Sequence, residues 1–211
     1  MRINPLKFAT VLFVTAGILH LAACSPPAAK KADGAGGPQF VRGQITNVKP
    51  GELTVKLASG AEEHVVPPAD AGLLAVSTTN MEGIRPGSYV GAAAAPDGKG
   101  GLKAIEVHIF DERLRGMGEG SSILDPARQN SMTNGTVGSV VGASGRTITV
   151  RYGNDQKQIV VPDDIPVTLV APGDRTLLVP GNRVVAIGRH QNGKFVTVQL
   201  LIGRDGFKPP L

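Results

Sequence analysis

The sequence predicts an all-β protein whose folded part consists of two tandem five-stranded modules, each an OB-like small β-barrel. The 211-residue chain is 41% hydrophobic, which is enough for a packed core. It has 28 Gly and 16 Pro, only 4% aromatic residues and no Trp, a composition that favours short strands joined by turns over long helices. Several segments alternate apolar and polar residues with a period of two, and the order of these segments occurs twice.

The repeat consists of six landmarks in the same order: a strand opened by Gly, an alternating strand, a polar turn, a strand ended by Pro, a Pro-Gly turn entering a strand, and a closing strand. In the first half these landmarks are residues 41–45, 53–57, 59–60, 64–67, 84–90 and 102–110. In the second half they are residues 133–137, 148–152, 153–154, 159–162, 178–184 and 195–202. Six ordered landmarks favour a true duplication over coincidence.

The individual elements follow from local chemistry. Pro67 and Pro162 end their strands because proline cannot donate to a β-ladder. The two Pro-Gly pairs at 86–87 and 180–181 predict chain reversals, since Pro presets φ and Gly accepts positive φ. Five short strands in about 70 residues suit a small closed or partly open barrel, which leaves few exposed strand edges.

The N-terminus has the features of a secretory signal peptide over residues 1–23. Arg2 and Lys7 precede an apolar run at 8–21, which is too short for a comfortable transmembrane helix of about 20 apolar residues. The next residues, 21–24, read Leu-Ala-Ala-Cys and resemble the lipobox of bacterial lipoproteins. The resemblance implies cleavage after Ala23 and acylation of Cys24, including palmitate-type chains.

Cys24 is the only cysteine of the chain, so no disulfide is expected once it is acylated. The alternatives are a buried thiol or a signal cut after Ala23 without lipid. Each buried methylene of an acyl chain contributes about 0.8 kcal/mol, so several chains would anchor the protein to membrane lipid. Ser25 follows the cysteine, which resembles the outer-membrane default of lipoproteins facing the periplasm, if the source is Gram-negative. Residues 24–39 are small and polar and predict a flexible tether.

Beyond the tether, residues 40–205 resemble a loosely defined family of secreted bacterial proteins with small β-barrel modules of unknown function. The resemblance rests on the Gly-x-Ile/Val strand openings, the Pro-Gly-x-x-Val turns and the segment 104–110. It implies the predicted architecture of a first module at 40–110, a second at 132–205 and a tail at 206–211. It implies no catalytic residues.

The segment 111–131 between the modules predicts an interdomain linker or brace, because its glycines argue against a long helix. Long loops that carry charges are also places where functional residues concentrate. On that alternative, Arg113, Arg115 and Glu119 are candidates to face a ligand.

A search for chemistry finds one pair of candidate metal ligands. Glu106 and His108 are two residues apart in a predicted strand, so their side chains are expected on the same side, where they could share a cation. A solvated strand face explains them equally well. No Gly-x-Ser-x-Gly elbow and no phosphate-binding loop occurs. The sequence therefore predicts a protein that is not an enzyme and uses no cofactor.

The net charge limits the chemical classes of binding partner that are expected. The formal net charge of +5 falls to +3 when Arg2 and Lys7 leave with the signal peptide. Residues 132–204 carry eight Lys and Arg against four Asp and Glu, and residues 40–110 carry six against seven. A solvated basic face explains the excess, and an anionic glycan or lipid is the sharper hypothesis. Nucleic acid is not expected, because aromatic stacking residues are sparse and the chain is exported.

The expectation from sequence is a lipid-anchored protein of the bacterial cell envelope that serves as a non-enzymatic binding or interaction module. Two other classes remain open. One is a structural or assembly accessory of an envelope complex. The other is a metal-binding protein that uses Glu106 and His108.

Overall fold

The computed structural model describes residues 39–125, 129–142 and 146–210. All of them lie in one compact unit, Gly36–Leu211. The predicted signal peptide, Cys24 with its predicted acylation and nearly all of the predicted tether lie outside the described residues.

The described residues form an all-β fold, as predicted. The first seven strands are β1 (Gln39–Lys49), β2 (Glu52–Leu57), β3 (Glu62–Val66), β4 (Leu73–Thr78), β5 (Tyr89–Pro96), β6 (Leu102–Phe110) and β7 (Gly120–Asp125). The remaining six are β8 (Asn130–Val141), β9 (Arg146–Tyr152), β10 (Asp155–Val161), β11 (Val167–Pro172), β12 (Arg183–Gln191) and β13 (Lys194–Gly203).

In the residues described, helix is confined to single 3₁₀ turns, which are Asp70–Gly72, Met81–Gly83, Glu112–Leu114, Arg175–Leu177 and Arg204–Gly206. Within the described part of the chain, no helix has the length and apolar character needed to cross a membrane.

Ten of the thirteen strands coincide with strands predicted from the repeat. The two Pro-Gly turns are also present, and Gly87 and Gly181 have φ of 92° and 98°. The sequence analysis missed β4, β7 and β11. β4 and β11 are short apolar runs without strict alternation, and β7 lies in the segment predicted to be a linker.

The first ring is a closed five-stranded barrel that joins strands from both halves of the chain. β1 pairs with β2, β2 with β3, β3 with β13, β13 with β12, and β12 with β1. Its interior holds a cluster of buried side chains, of which Ile45, Val55 and Phe195 are at most 1% exposed. This burial explains why β1, β2 and β13 alternate apolar and polar residues.

The second ring repeats these pairings with the roles of the halves exchanged. β8 pairs with β9, β9 with β10, β10 with β6, β6 with β5, and β5 with β8. A single residue pair, Val160 with Lys103, closes this ring. Val107, Ile148 and Ile159 are fully buried inside it.

The prediction of two tandem modules, each folded from its own half, is not confirmed. The hairpin β12–β13 of the second half completes the ring that contains β1, β2 and β3, and the hairpin β5–β6 of the first half completes the other. The sequence repeat could not reveal this exchange, because each hairpin has the same pattern whichever ring it enters. The boundaries 40–110 and 132–205 describe the repeat, and their use as domain limits stays a prediction.

Two of the three strands that were not predicted, β4 and β11, join the rings. β4 pairs with β11 in antiparallel fashion, and Val76 lies opposite Val170. β4 also runs parallel to β13, and β11 runs parallel to β6. Apart from the pairing of β7 with β8, every strand pairing therefore has a counterpart when the halves are exchanged, so the fold has an internal two-fold relation with β4 and β11 at its centre.

The Gly that opens each repeat has a packing role. Gly43 is paired with β12 on one side and with β2 on the other. Gly135 is paired with β5 and lies close to the backbone of Arg151 in β9. A Cβ on Gly43 would lie 2.3 Å from the carbonyl oxygen of Lys56, and one on Gly135 would lie 2.2 Å from that of Arg151. Only glycine allows this close approach of neighbouring strands.

Candidate functional site

A cavity of about 230 Å³ lies at the junction of the two rings. Its wall comes from both rings, from the central strands β4 and β11, and from the segment that connects the halves. The lining residues are Phe40, Leu74, His108, Phe110, Met117, Gly118, Ser122, Ile123, Leu124, Met132, Asn134, Val170, Ile187, Gln199 and Leu201. Ten of these are apolar, and none is Lys, Arg, Asp or Glu. A concave, mostly apolar wall with a few polar groups is typical of a ligand site.

A bulge in β6 turns the polar residues of this strand toward the junction. β5 pairs Ala93 with Glu106 but Ala94 with Ala104, so one residue of β6 is left over. The extra residue reverses which face the following side chains occupy. Val107 therefore packs inside the second ring, whereas His108 and Phe110 line the cavity.

Behind the cavity wall lies a buried group of three polar side chains, Glu106, His108 and Thr168. They are 5%, 2% and 0% exposed. The Nδ1 atom of His108 lies 2.5 Å from the hydroxyl oxygen of Thr168. Its Nε2 atom contacts Oε1 of Glu106. Neither atom has a hydrogen-bond partner among the described residues.

Arg42 lies within electrostatic range of this group. Its guanidinium lies 4.9 Å from the centre of the Phe40 ring, which lines the cavity. Burial lowers the pKa of Arg42, and the charge of Glu106 acts in the opposite direction. The cation thus offsets part of the cost of holding the Glu106 carboxyl away from water.

The group has the order carboxyl, imidazole and hydroxyl that nucleophilic triads use. A nucleophile must reach a bound substrate, however, and the Thr168 hydroxyl is fully buried and is not among the lining residues. His108 therefore contributes its imidazole to the cavity wall, whereas the Thr168 hydroxyl does not reach the cavity.

The structure brings the two candidate metal ligands, Glu106 and His108, into direct contact. Among the residues that the structure describes, no group of three or more His, Cys, Asp or Glu side chains is placed so that it could hold a metal ion. Three protein ligands are usual in a catalytic zinc site and four in a structural one. A metal at Glu106 and His108 stays a prediction.

The candidate ligand-facing residues of the connecting segment make contacts within the protein. Arg113 donates to the carboxylate of Asp111. The side chain of Glu119 accepts a hydrogen bond from the backbone N–H of Gly153, at 2.9 Å. Neither residue lines the cavity.

Arg115 holds the segment against the second ring. Its guanidinium donates to the Gly87 carbonyl at 2.8 Å and to the Thr136 hydroxyl at 3.1 Å, and it also pairs with Glu112. The Arg115 guanidinium carbon lies 5.7 Å from the centre of the Tyr89 ring. These contacts are those of a brace.

The braced segment nevertheless supplies part of the cavity wall. The phenol of Tyr89 donates to the Met117 carbonyl at 3.1 Å, and Nδ2 of Asn134 donates to the Gly118 carbonyl at 3.2 Å. The segment then becomes β7, which pairs with β8 and contributes three more lining residues. One of these, Ile123, is 71% exposed, so the cavity opens beside an apolar surface side chain.

Most residues of this site escaped the sequence analysis. His108 was singled out, but its partner Thr168 lies on β11, a strand that was not predicted. Met117 and Ile123 lie in the supposed linker. The local signal that could have found β11 is its short apolar run between two Pro-containing turns, residues 162–166 and 172–173.

Comparison with known proteins adds no identity, since no family model, no curated protein and no solved structure matches the chain.

Proposed function

We propose that the chain is a lipid-anchored protein of the bacterial cell envelope with a non-enzymatic binding function, and that the cavity at the junction of the rings is its binding site. The anchor is the acylated Cys24, which belongs to the lipobox-like sequence at 21–24. The observation that carries the binding function is the cavity itself, about 230 Å³ in volume and lined mainly by apolar side chains.

We further propose that the fold arose from two OB-like modules by duplication, with exchange of the β5–β6 and β12–β13 hairpins. The repeat and the matching strand pairings of both halves support this origin. The exchange joins the two rings through β4 and β11, and the cavity forms at the place where they join. The proposed membership in the secreted barrel family rests on the same repeat.

Binding is tested with two small neutral probes, indole and 1-octanol, added separately to the purified full-length chain. We expect each probe to shift the amide NMR signals of residues around the cavity. A Ser122→Trp variant places an indole ring at the mouth of the cavity and should abolish these shifts. Ser59 lies in the exposed β2–β3 turn, so Ser59→Trp is the matched control and should bind like the parent chain. Failure of both probes to bind would exclude the cavity as a binding site.

The anchor is tested by metabolic labelling of cells with a fatty-acid analogue. The parent chain should take up the label, and a Cys24→Ala variant should not. Label retained by the variant would show that the lipid is attached elsewhere, or that labelling does not report on Cys24.

A further inference from the structure

We infer that the cavity takes an uncharged aromatic molecule of one or two fused rings. The inference rests on the proposed binding function and names the chemistry of its ligand. Three properties of the wall support it, namely charge, size and side-chain type.

The first property is charge. The fifteen lining residues include no Lys, Arg, Asp or Glu, and the polar ones are His108, Ser122, Asn134 and Gln199. A carboxylate or ammonium that entered the cavity would lose its water without meeting an opposite charge on the wall, which is strongly unfavourable. The Arg42 guanidinium lies against the Phe40 ring and is not itself a lining residue. Glu106 does not compensate a cation there, because it lies behind His108 and is not a lining residue.

The second property is size. A dry protein cavity of about 150 Å³ lined by Leu, Ile and Phe holds benzene. The cavity of this protein, at about 230 Å³, is about half again as large. It therefore has room for one ring with a substituent or for two fused rings.

The third property is side-chain type. The described residues contain four Phe and three Met, and two of each line this cavity: Phe40, Phe110, Met117 and Met132. In a chain with only 4% aromatic residues, this is a local concentration. Ring–ring contacts are favourable beyond simple burial, and thioether sulfur also makes favourable contacts with ring edges. These side chains, together with the His108 ring, favour an aromatic guest over an aliphatic one of similar size.

Three probes test the inference on the full-length chain, with dissociation constants measured by NMR titration. Indole is neutral and aromatic, 1-octanol is neutral and aliphatic, and indole-3-carboxylate is aromatic and charged. We expect indole to bind about tenfold more tightly than 1-octanol, which is about 1.4 kcal/mol. We expect indole-3-carboxylate to bind at least as weakly as 1-octanol.

A variant pair separates the ring effect from general apolar burial. Phe110→Leu removes a ring from the wall and should weaken indole binding about threefold to tenfold, while 1-octanol binding stays the same. Met117→Leu should weaken indole binding by a smaller factor. Met81 is buried inside the second ring and does not line the cavity, so Met81→Leu is the matched control and should change neither.

The outcomes distinguish the inference from the proposed function. If neither indole nor 1-octanol binds, the proposed function and the inference both fail. If 1-octanol binds as tightly as indole, or if Phe110→Leu weakens both equally, the binding site stands and the aromatic preference is wrong. If indole-3-carboxylate binds as tightly as indole, the requirement for a neutral ligand is wrong.

Discussion

The two rings meet the central strands through the same backbone pairing but with opposite side-chain chemistry. In the pairing of β13 with β4, Leu201 lies beside Leu74. At the equivalent place in the pairing of β6 with β11, His108 lies beside Thr168. Two residues earlier, Gln199 of β13 corresponds to the buried Glu106 of β6.

This difference shows that the fold does not need ionisable groups at the junction. Leu74 and Leu201 fill their positions as ordinary apolar side chains, 3% and 4% exposed. A buried carboxyl and imidazole cost desolvation free energy, and replacing such a pair by apolar residues is often neutral or stabilising. The polar group is therefore better explained by what it gives to the cavity beside it than by a contribution to stability.

A second difference lies one strand further out. In the second ring, the small Gly91 of β5 is next to the large Phe110 of β6. In the first ring, the equivalent positions hold the larger Val185 on β12 and the small Gly203 on β13. The large side chain is therefore on the inner strand, β6, in one ring and on the outer strand, β12, in the other. The arrangement with Gly91 places the Phe110 ring on the cavity wall, whereas Gly203 contributes no side chain there.

The largest expected effect comes from making one partner of the polar group apolar. His108→Leu leaves the buried Glu106 carboxyl without the imidazole that it contacts. We expect the free energy of unfolding to fall by about 3 kcal/mol. Chemical denaturation followed by circular dichroism measures this change.

The control variant replaces the polar residues at the junction of β6 with β11 by the residue types found at the equivalent positions of β13 and β4. A chain with Glu106→Gln, His108→Leu and Thr168→Leu carries the residue types of Gln199, Leu201 and Leu74. We expect it to regain most of the stability that His108→Leu alone loses, because the buried charge is removed together with its partner. A triple variant less stable than His108→Leu alone would contradict the equivalence of the two sides.

A smaller effect is expected from a methyl group on Gly91. A Cβ there would lie 2.6 Å from Oδ1 of Asn134 and 3.0 Å from the Phe110 ring. Because Asn134 is held by its hydrogen bond to the Gly118 carbonyl, Gly91→Ala should destabilise the fold by about 1.5 kcal/mol. Denaturation midpoints measure the effect.

A double-mutant cycle with Asn134→Ser sharpens this prediction. Shortening Asn134 removes the atom that the new methyl group would meet, so Gly91→Ala should cost less in that background. Additive effects of the two substitutions would show that the clash with Asn134 is not the cause.

The smallest effect concerns the brace between the halves. The hydrogen bonds from Arg113 hold the pKa of Asp111 at about 2, below its ordinary value of 3.8. A carboxyl with a depressed pKa stabilises the folded state above pH of about 4, and this stabilisation is lost as the pH falls through about 2. Asp111→Asn should therefore lower stability at neutral pH and remove this acid-dependent loss. Stability measured from pH 6 to pH 2 tests it, and identical profiles for both chains would contradict it.

Much of the fold could be predicted because strand and turn signals are local. The alternation at 53–57 predicts a strand at those residues, and the Pro-Gly pair at 86–87 predicts a turn there. Both predictions are confirmed. β7 could not be predicted in this way. Its sequence, Gly-Ser-Ser-Ile-Leu-Asp, has no alternation, and it is a strand because β8 is available to pair with it.

The candidate site was less predictable. The spacing of Glu106 and His108 indicated a shared face, and the two side chains do meet. Their burial was not foreseen, because it depends on tertiary contacts such as the pairing of β6 with β11, a strand that was not predicted. Arg115 was noted for its charge, but its contacts with Gly87 and Thr136 depend on how the segment folds back over β5 and β8.

The sequence by itself determined the secondary structure of most of the chain and its internal repeat, because the period of two and the turn residues act over a few neighbours. Only the tertiary structure decided which hairpin closes which ring, since β5–β6 and β12–β13 present equivalent patterns and either could pair with either partner. That choice rests on contacts between residues far apart in the chain, such as those of β1 with β12. It also creates the cavity, whose wall no single segment of the sequence contains.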